Sequence, residues 1–302
     1  MADRAPPVLL MDRAALARVV EASPYAAALG VRVEHVDAAG ARLRLPYADA
    51  NSNPGQVLHG GAIASVIAIV GALAARAVVG VPLEWGVGTL DLSVNFLAAA
   101  IGVDIVATAE VLRRGKEIVY SAVDVRTDAD KRIAFGLATV RAVDPAAAPR
   151  AAGRQRWTPA ASGGGAVAKI PGADAFVLAP FMGRLGITVE HAYEAAATLV
   201  LPHAADRADA DGALHEGALA ALIDTSGALA AWSLTGLDMR FKASTVGLHA
   251  SFHGRVVGAD AVAQASTLRR DNEIFLNHVR VGAPDNATVV ATGSVTYRIV
   301  IP

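Results

Sequence analysis

The sequence predicts an α+β protein of two tandem modules, each an antiparallel sheet wrapped around a long central helix. Three observations predict it. Residues 58–75, LHGGAIASVIAIVGALAA, and residues 214–231, LHEGALAALIDTSGALAA, agree at 11 of 18 positions, at an offset of 156 residues. The same offset pairs Tyr25 with Phe181, Leu29-Gly30 with Leu185-Gly186, Leu45-Pro46 with Leu201-Pro202, and Glu117-Ile118 with Glu273-Ile274. The repeated string is also apolar on nearly every side, so as a helix it must be covered on most of its surface. Two copies are too few for a solenoid, which leaves a duplicated domain.

The elements follow in order. Residues 11–22 carry Leu16, Val19 and Val20 at helical spacing, and Ser23-Pro24 is expected to stop that helix. Two short alternating strands come next, over 31–36 and 42–45, turned at 37–40. After His59 begins the long apolar helix, whose uninterrupted apolar run is sixteen residues, from Gly60 to Ala75, before Arg76. Strands over 89–97, 104–112, 117–127 and 133–142 complete the copy; their β-branched residues and period-two alternation suit an antiparallel sheet with one wet face. The second copy repeats this order. Between the copies, residues 144–172 are rich in Pro, Ala and Gly without periodicity, so they read as a linker in which Trp157 still packs. The modules are therefore 1–143 and 173–302.

Composition narrows the function classes. The chain of 302 residues is 54% hydrophobic, enough for two sizeable cores, and its net charge of −1 gives no field to draw nucleic acid or an anionic membrane. With no cysteine there can be no disulfide, thiolate zinc site or cysteine nucleophile. The N-terminus carries charges and two prolines where a secretion signal needs an unbroken apolar core. The apolar helix is too short before Arg76 for a membrane span, and its twin contains Asp224, so a soluble, cytoplasmic protein is expected.

The copies differ where chemistry is concentrated. Asn53, Gly60 and Ala68 in the first copy face Asp209, Glu216 and Asp224 in the second, while His59 matches His215 and Thr89 matches Thr245. A helix rises about 1.5 Å per residue and turns about 100°, so nine residues put an acid roughly 13 Å from the helix start and on its far side. One carbonyl carbon cannot touch both. Two such helices packed antiparallel bring the start of one beside the acid of the other, which makes two composite sites. The first combines Asn53, His59 and Gly60 with Asp224; the second combines Asp209, His215 and Glu216 with Ala68. The second lacks an acid to act as base, adds carboxylates where negative charge must develop, and is expected to be dead. At the first, the N–H groups of Gly60 and Gly61 at the positive end of the helix can receive charge on a carbonyl oxygen, and burial suits Asp224 to act as a base near neutral pH.

The string N-x-x-x-x-x-H-G-G, with Asp nine positions after the equivalent His, resembles the hotdog-fold acyl-CoA thioesterases of the PaaI-like type, in a tandem version covering roughly 12–142 and 174–300. The resemblance implies hydrolysis of an acyl-CoA thioester between two modules, with Asp224 as base or nucleophile, Asn53, His59 and a Gly60 N–H supplied by the other module, and Thr245 helping to hold the attacking water. It implies no cofactor beyond the CoA of the substrate. It also implies CoA-phosphate contacts from Arg113, Arg114 and Lys116, echoed by Arg269 and Arg270, and association of two chains into a four-module assembly. Each histidine could instead serve its helix start alone. His249 and His253 alternate on a strand without a further ligand at metal spacing, so no metal is assigned. Two other readings are a non-catalytic acyl-CoA or lipid binder, favoured by erosion of both copies, and an acyl hydratase or dehydratase. Asn53-Pro54-Gly55-Gln56 lacks the histidine that the last would need.

Overall fold

A computed structural model describes residues 12–79, 86–143, 168–238, 240–283 and 288–301. The first module runs α1 (Arg13–Glu21), α2 (Pro24–Leu29), β1 (Arg32–Val36), β2 (Gly40–Leu45), the two-residue strands β3 (Ser52–Asn53) and β4 (Val57–Leu58), then α3 (Gly60–Val79), β5 (Gly86–Phe96), β6 (Ile105–Arg114), β7 (Ile118–Thr127) and β8 (Arg132–Val143). The second runs α4 (Ala173–Phe176), α5 (Pro180–Arg184), β9 (Thr188–Tyr193), β10 (Ala196–Leu201), α6 (Glu216–Thr235), β11 (Lys242–Phe252), β12 (Ala261–Asp271), β13 (Ile274–Ala283) and β14 (Thr288–Val300).

All long strands lie where alternation placed them, within a few residues. Two boundaries differ for physical reasons. Ser23-Pro24 ends α1 but also opens α2: the Ser23 hydroxyl accepts the Ala26 N–H, and Pro24 takes the first helical position, where a missing N–H costs nothing. Arg76 interrupts the apolar run without ending α3, which is 20 residues long; arginine is a good helix former, and this one is buried. The expected linker lies mostly outside the described residues, Trp157 included. Where description resumes, the Ile170 N–H donates to the Ala192 carbonyl, so the second module reaches back to at least residue 168.

Apart from the small β3–β4 pair, the strands form one twelve-stranded sheet in the order β1-β2-β6-β7-β8-β5-β11-β14-β13-β12-β10-β9, a palindrome of the two modules. Its centre is the antiparallel pair β5–β11, where Leu92 faces Ala250, Ser93 faces His249 and Val94 faces Leu248. Ser93 and His249 are counterparts under the 156-residue offset, so an approximate two-fold axis passes between them. Asp91 ties the seam through its carboxylate, which accepts the Ser251 hydroxyl at 2.9 Å and lies 3.1 Å from His249 Nε2.

Inside the sheet's curl α3 and α6 pack against each other. A Cβ added at Gly61 would come within 2.7 Å of Ala221 Cβ, and one at Gly217 within 2.9 Å of Ser65 Cβ. These two contacts are images of each other, and their order proves the helices antiparallel. Small residues let the backbones approach, while Ile67 and Ile223 pack on Gly136 and Gly293 of the sheet, and Ile63, Val70, Leu219 and Leu222 are also buried. Each such side chain contributes roughly 1.5–3 kcal/mol relative to exposure.

Candidate active site

The loop entering α3 is fixed by its own backbone. The Asn51 carbonyl accepts the His59 N–H at 3.0 Å, and the Asn51 amide donates to the Leu29 carbonyl at 2.8 Å. Gly55 (φ 80°) and Gln56 (φ 61°) turn the chain between β3 and β4. His59 then caps the helix: its Nδ1 accepts the Gly61 N–H at 2.9 Å, and its carbonyl accepts those of Ala62 and Ile63. That leaves the Gly60 N–H as the donor of the first turn not taken up by His59. Phe181, from α5 of the other module, lies against the imidazole with centroids 4.8 Å apart.

Asp224 arrives from α6, nine residues after His215. Thr245 Oγ1 on β11 donates to its Oδ1 at 2.6 Å. Oδ2 lies 3.8 Å from His59 Nδ1, and a Cβ built on Gly60 would stand 3.1 Å from it. A side chain at position 60 would crowd the carboxylate. Burial pushes the Asp224 carboxyl up to about 6, against the downward pull of the Thr245 hydroxyl and the Gly61 N–H. Burial pushes His59 down to about 4. At neutral pH an ionised carboxylate therefore sits beside a neutral imidazole. The His59 Nδ1 lone pair already accepts the Gly61 N–H, so the ring proton is on Nε2 and the 3.8 Å approach is not an ion pair.

Asn53, His59, Gly60, Asp224 and Thr245 all border one cavity of about 930 Å³ between the modules. Gly61 does not line it. Its N–H is given to His59 and also pulls on the Asp224 carboxylate, so of the two glycines expected to receive charge only Gly60 borders the cavity.

The opposite end of the helix pair is built differently. His215 caps α6 by accepting the Gly217 N–H at 2.8 Å, and Tyr25 lies against its ring at 4.9 Å. Asp209 Oδ1 is 3.8 Å from His215 Nε2 and accepts the Ser23 hydroxyl at 3.1 Å. Burial, with the charge of Asp209 adding to it, pushes the Glu216 carboxyl up. Ligand atoms of Asp209, His215 and Glu216 lie within 4.8 Å of one another, the one such group among the described residues. His215 has already committed its Nδ1 lone pair and carries its proton on Nε2, which does not suit metal ligation. Glu216 reaches toward β5, where a Cβ built on Gly88 would stand 3.4 Å from its Oε1. Leu16 and Val20 of α1 are buried in the core, whereas their counterparts Gly172 and Phe176 border the cavity. The cavity at one end is thus matched by packed side chains at the other.

Arg113, Arg114, Lys116, Arg269 and Arg270 are not among the described residues lining the cavity. Arg114 donates to the Val79 carbonyl, at the end of α3 opposite Gly60. Arg269 lies 3.7 Å from Asp271, and the Arg270 guanidinium lies 5.1 Å over the Phe275 ring. A cation not anticipated, Lys131, donates to the carbonyl of Ala99 on the cavity rim at 3.0 Å. His249 is taken up at the seam, and His253 pairs with the Thr292 hydroxyl at 2.9 Å. Asn51 and Phe181, which hold His59, were also missed, although an aromatic residue at Tyr25 and again at Phe181 signalled that this position matters in both copies.

The sequence profile described as the thioesterase superfamily matches residues 55–134, the stretch from the Gly55 turn to β8. A protein of Halobacterium salinarum, provisionally named an esterase, is 39% identical over 105 residues, which make up 34% of this chain and 69% of that protein. Among solved structures, a thioesterase II of Thermobifida fusca, so named provisionally, is similar with a TM-score of 0.63 and 16% identity, covering 91% of this chain and 98% of that one. An acyl-CoA thioesterase II of Mycobacterium marinum has a TM-score of 0.60 and 16% identity, covering 89% and 96%. A protein of Alicyclobacillus acidocaldarius described as having a hotdog fold has a TM-score of 0.57 and 18% identity, covering 86% and 94%. At these identities the structural likeness concerns the fold, and it runs through both modules.

Proposed function

This chain belongs to the thioesterase superfamily, and from that premise we propose that it hydrolyses acyl-CoA thioesters at one composite site between its two hotdog modules. The observation that carries the reading is the meeting of Asp224 of the second module with Gly60 of the first at the wall of a single cavity. A thioester carbonyl placed there directs its oxygen to the Gly60 N–H at the positive end of α3, where charge grows as the tetrahedral intermediate forms. Asn53 adds an amide to the same pocket. The Asp224 carboxylate drives the attack, by deprotonating water or by adding directly, and both routes need it ionised. Thr245 holds Oδ1 and leaves Oδ2 facing Gly60. His59, neutral and clamped by Phe181 and Asn51, fixes the geometry of the helix start.

Release of free thiol from a panel of acyl-CoAs tests the reading; tight binding without turnover would sink it. The pH dependence gives a finer check. Because the base works deprotonated, kcat/KM should rise with pH through about 6 and level off above. Thr245→Val removes a donor that favours the charged carboxylate, so the acid limb should move to higher pH by about one pH unit. An unmoved limb would show that Thr245 does not hold the working carboxylate.

For the CoA phosphates we propose Lys131 at the rim in preference to the arginine clusters. Lys131→Ala should raise KM for CoA esters up to about fivefold, with little effect on pantetheine thioesters, while Arg113→Ala/Arg114→Ala changes neither. The reverse pattern in steady-state kinetics would return the role to the arginines.

A further inference from the structure

The cavity continues beyond the reacting groups along one stripe of α6. Asp224, Ala228 and Trp232 are spaced four residues apart, so they stand one above another on a single helix face, and all three border the cavity. From Asp224 to Trp232 the helix rises about 12 Å. A helical tryptophan leans back over the turn before its own Cα, which shortens the open run to about 8–10 Å.

The far end is a braced wall. Trp232 Nε1 donates to the Tyr297 hydroxyl at 3.2 Å, and the indole stacks on Phe241 with centroids 6.3 Å apart and planes 13° apart. Trp232 is 3% exposed and Tyr297 7%, whereas Leu97 and Leu178, at 56% and 74%, mark the mouth. At the other end of the helix pair the counterpart of Trp232 is Arg76, so this wall belongs to the Asp224 end alone. No lysine or arginine is among the described residues lining the cavity, so a charged group at the tip of an acyl chain would be desolvated without a cationic partner.

We infer that the acyl group is apolar and about six to eight carbons long, and that Trp232 sets this limit. The length follows from the open run, since a staggered chain advances about 1.25 Å per carbon. This inference rests on the reading of Gly60 and Asp224 as the reacting centre, from which the run is measured.

The test is kcat/KM for straight-chain acyl-CoAs from two to sixteen carbons, with adipyl-CoA beside hexanoyl-CoA. The expected optimum lies at about six to eight carbons, with at least a tenfold fall by twelve and a similar deficit for adipyl-CoA. Trp232→Leu should move the optimum up by about two to four carbons, and Ala228→Leu should move it down. An optimum at two carbons, or at twelve and above, overturns the inference, as does an optimum unchanged by Trp232→Leu. Dissociation constants of S-alkyl-CoA thioethers on the unaltered protein need neither turnover nor a folded variant. If no acyl-CoA is hydrolysed but S-octyl-CoA binds at least tenfold more tightly than S-ethyl- or S-dodecyl-CoA, the hydrolytic reading fails and the length limit stands. If hydrolysis proceeds with no chain-length ranking in either measurement, the limit fails and the hydrolytic reading stands.

Discussion

Asp224→Asn is expected to lower kcat for acyl-CoA hydrolysis by about 10³-fold, while Asp209→Asn leaves it within about twofold. The asparagine side chain has the size of the acid and can still accept the Thr245 hydroxyl, so the pocket keeps its shape. It cannot deprotonate water or form an acyl adduct. The fold should survive, because the substitution removes a carboxyl whose ionisation burial already opposes. Thiol-release kinetics and a thermal melt on both variants decide the matter. Equal loss of turnover in the two would contradict a single working site, and retained turnover in Asp224→Asn would move the chemistry elsewhere.

Gly61→Val should be the most damaging packing change near the site. Its Cβ alone would stand 2.7 Å from Ala221 Cβ and 2.9 Å from Ala221 Cα, and backbone cannot swing aside as a flexible side chain can. Overpacking of this kind costs about 1–3 kcal/mol, or roughly 2–5 °C in melting temperature for a chain of this size. Because α3 and α6 carry the two halves of the site, forcing them apart moves Gly60 away from Asp224, and kcat should fall at least about tenfold. Gly217→Val is the internal control. It meets Ser65 at 2.9 Å through the image contact, at the end without the working acid. A similar loss of stability with a smaller loss of kcat is expected there; equal kcat losses would mean that helix separation spreads along the whole pair.

Much of this was legible in the residues. Strands with one wet face announce themselves by alternation, and the long strands of both modules were located that way. The nine-residue spacing called for a second helix, because an acid on the far side of its own helix must serve a neighbour; antiparallel packing was the arrangement that would bring the two together, and α3 and α6 adopt it. The difference between the two ends was legible because duplication supplies its own control: Ala68 stands against Asp224 and Gly60 against Glu216. What could not be read has equally plain causes. The β5–β11 seam is joined by main-chain hydrogen bonds, and its side chains Asp91, Ser93, His249 and Ser251 look like any polar sheet surface. Trp232, Phe241 and Tyr297 line a cavity, yet an apolar residue beside a void is spelled the same as one inside a core. Proline at Pro24 ended a helix in the sequence reading, although the same residue also starts one. Gly60 and Gly61 differ in setting because the His59 imidazole takes the Gly61 N–H and Gly60 borders the cavity, a choice no spacing encodes.

The palindromic sheet carries a consequence for how such a chain could change. In an assembly of two identical subunits, every substitution appears at both ends at once, so an ancestor could not have placed a glutamate beside one helix start without spoiling the other. Two copies joined in one chain are free of that constraint. Here the end bearing Ala68 is filled by Leu16 and Val20, while the end bearing Asp224 keeps an opening floored by Trp232. A filled end of this kind braces the helix pair from behind the cavity.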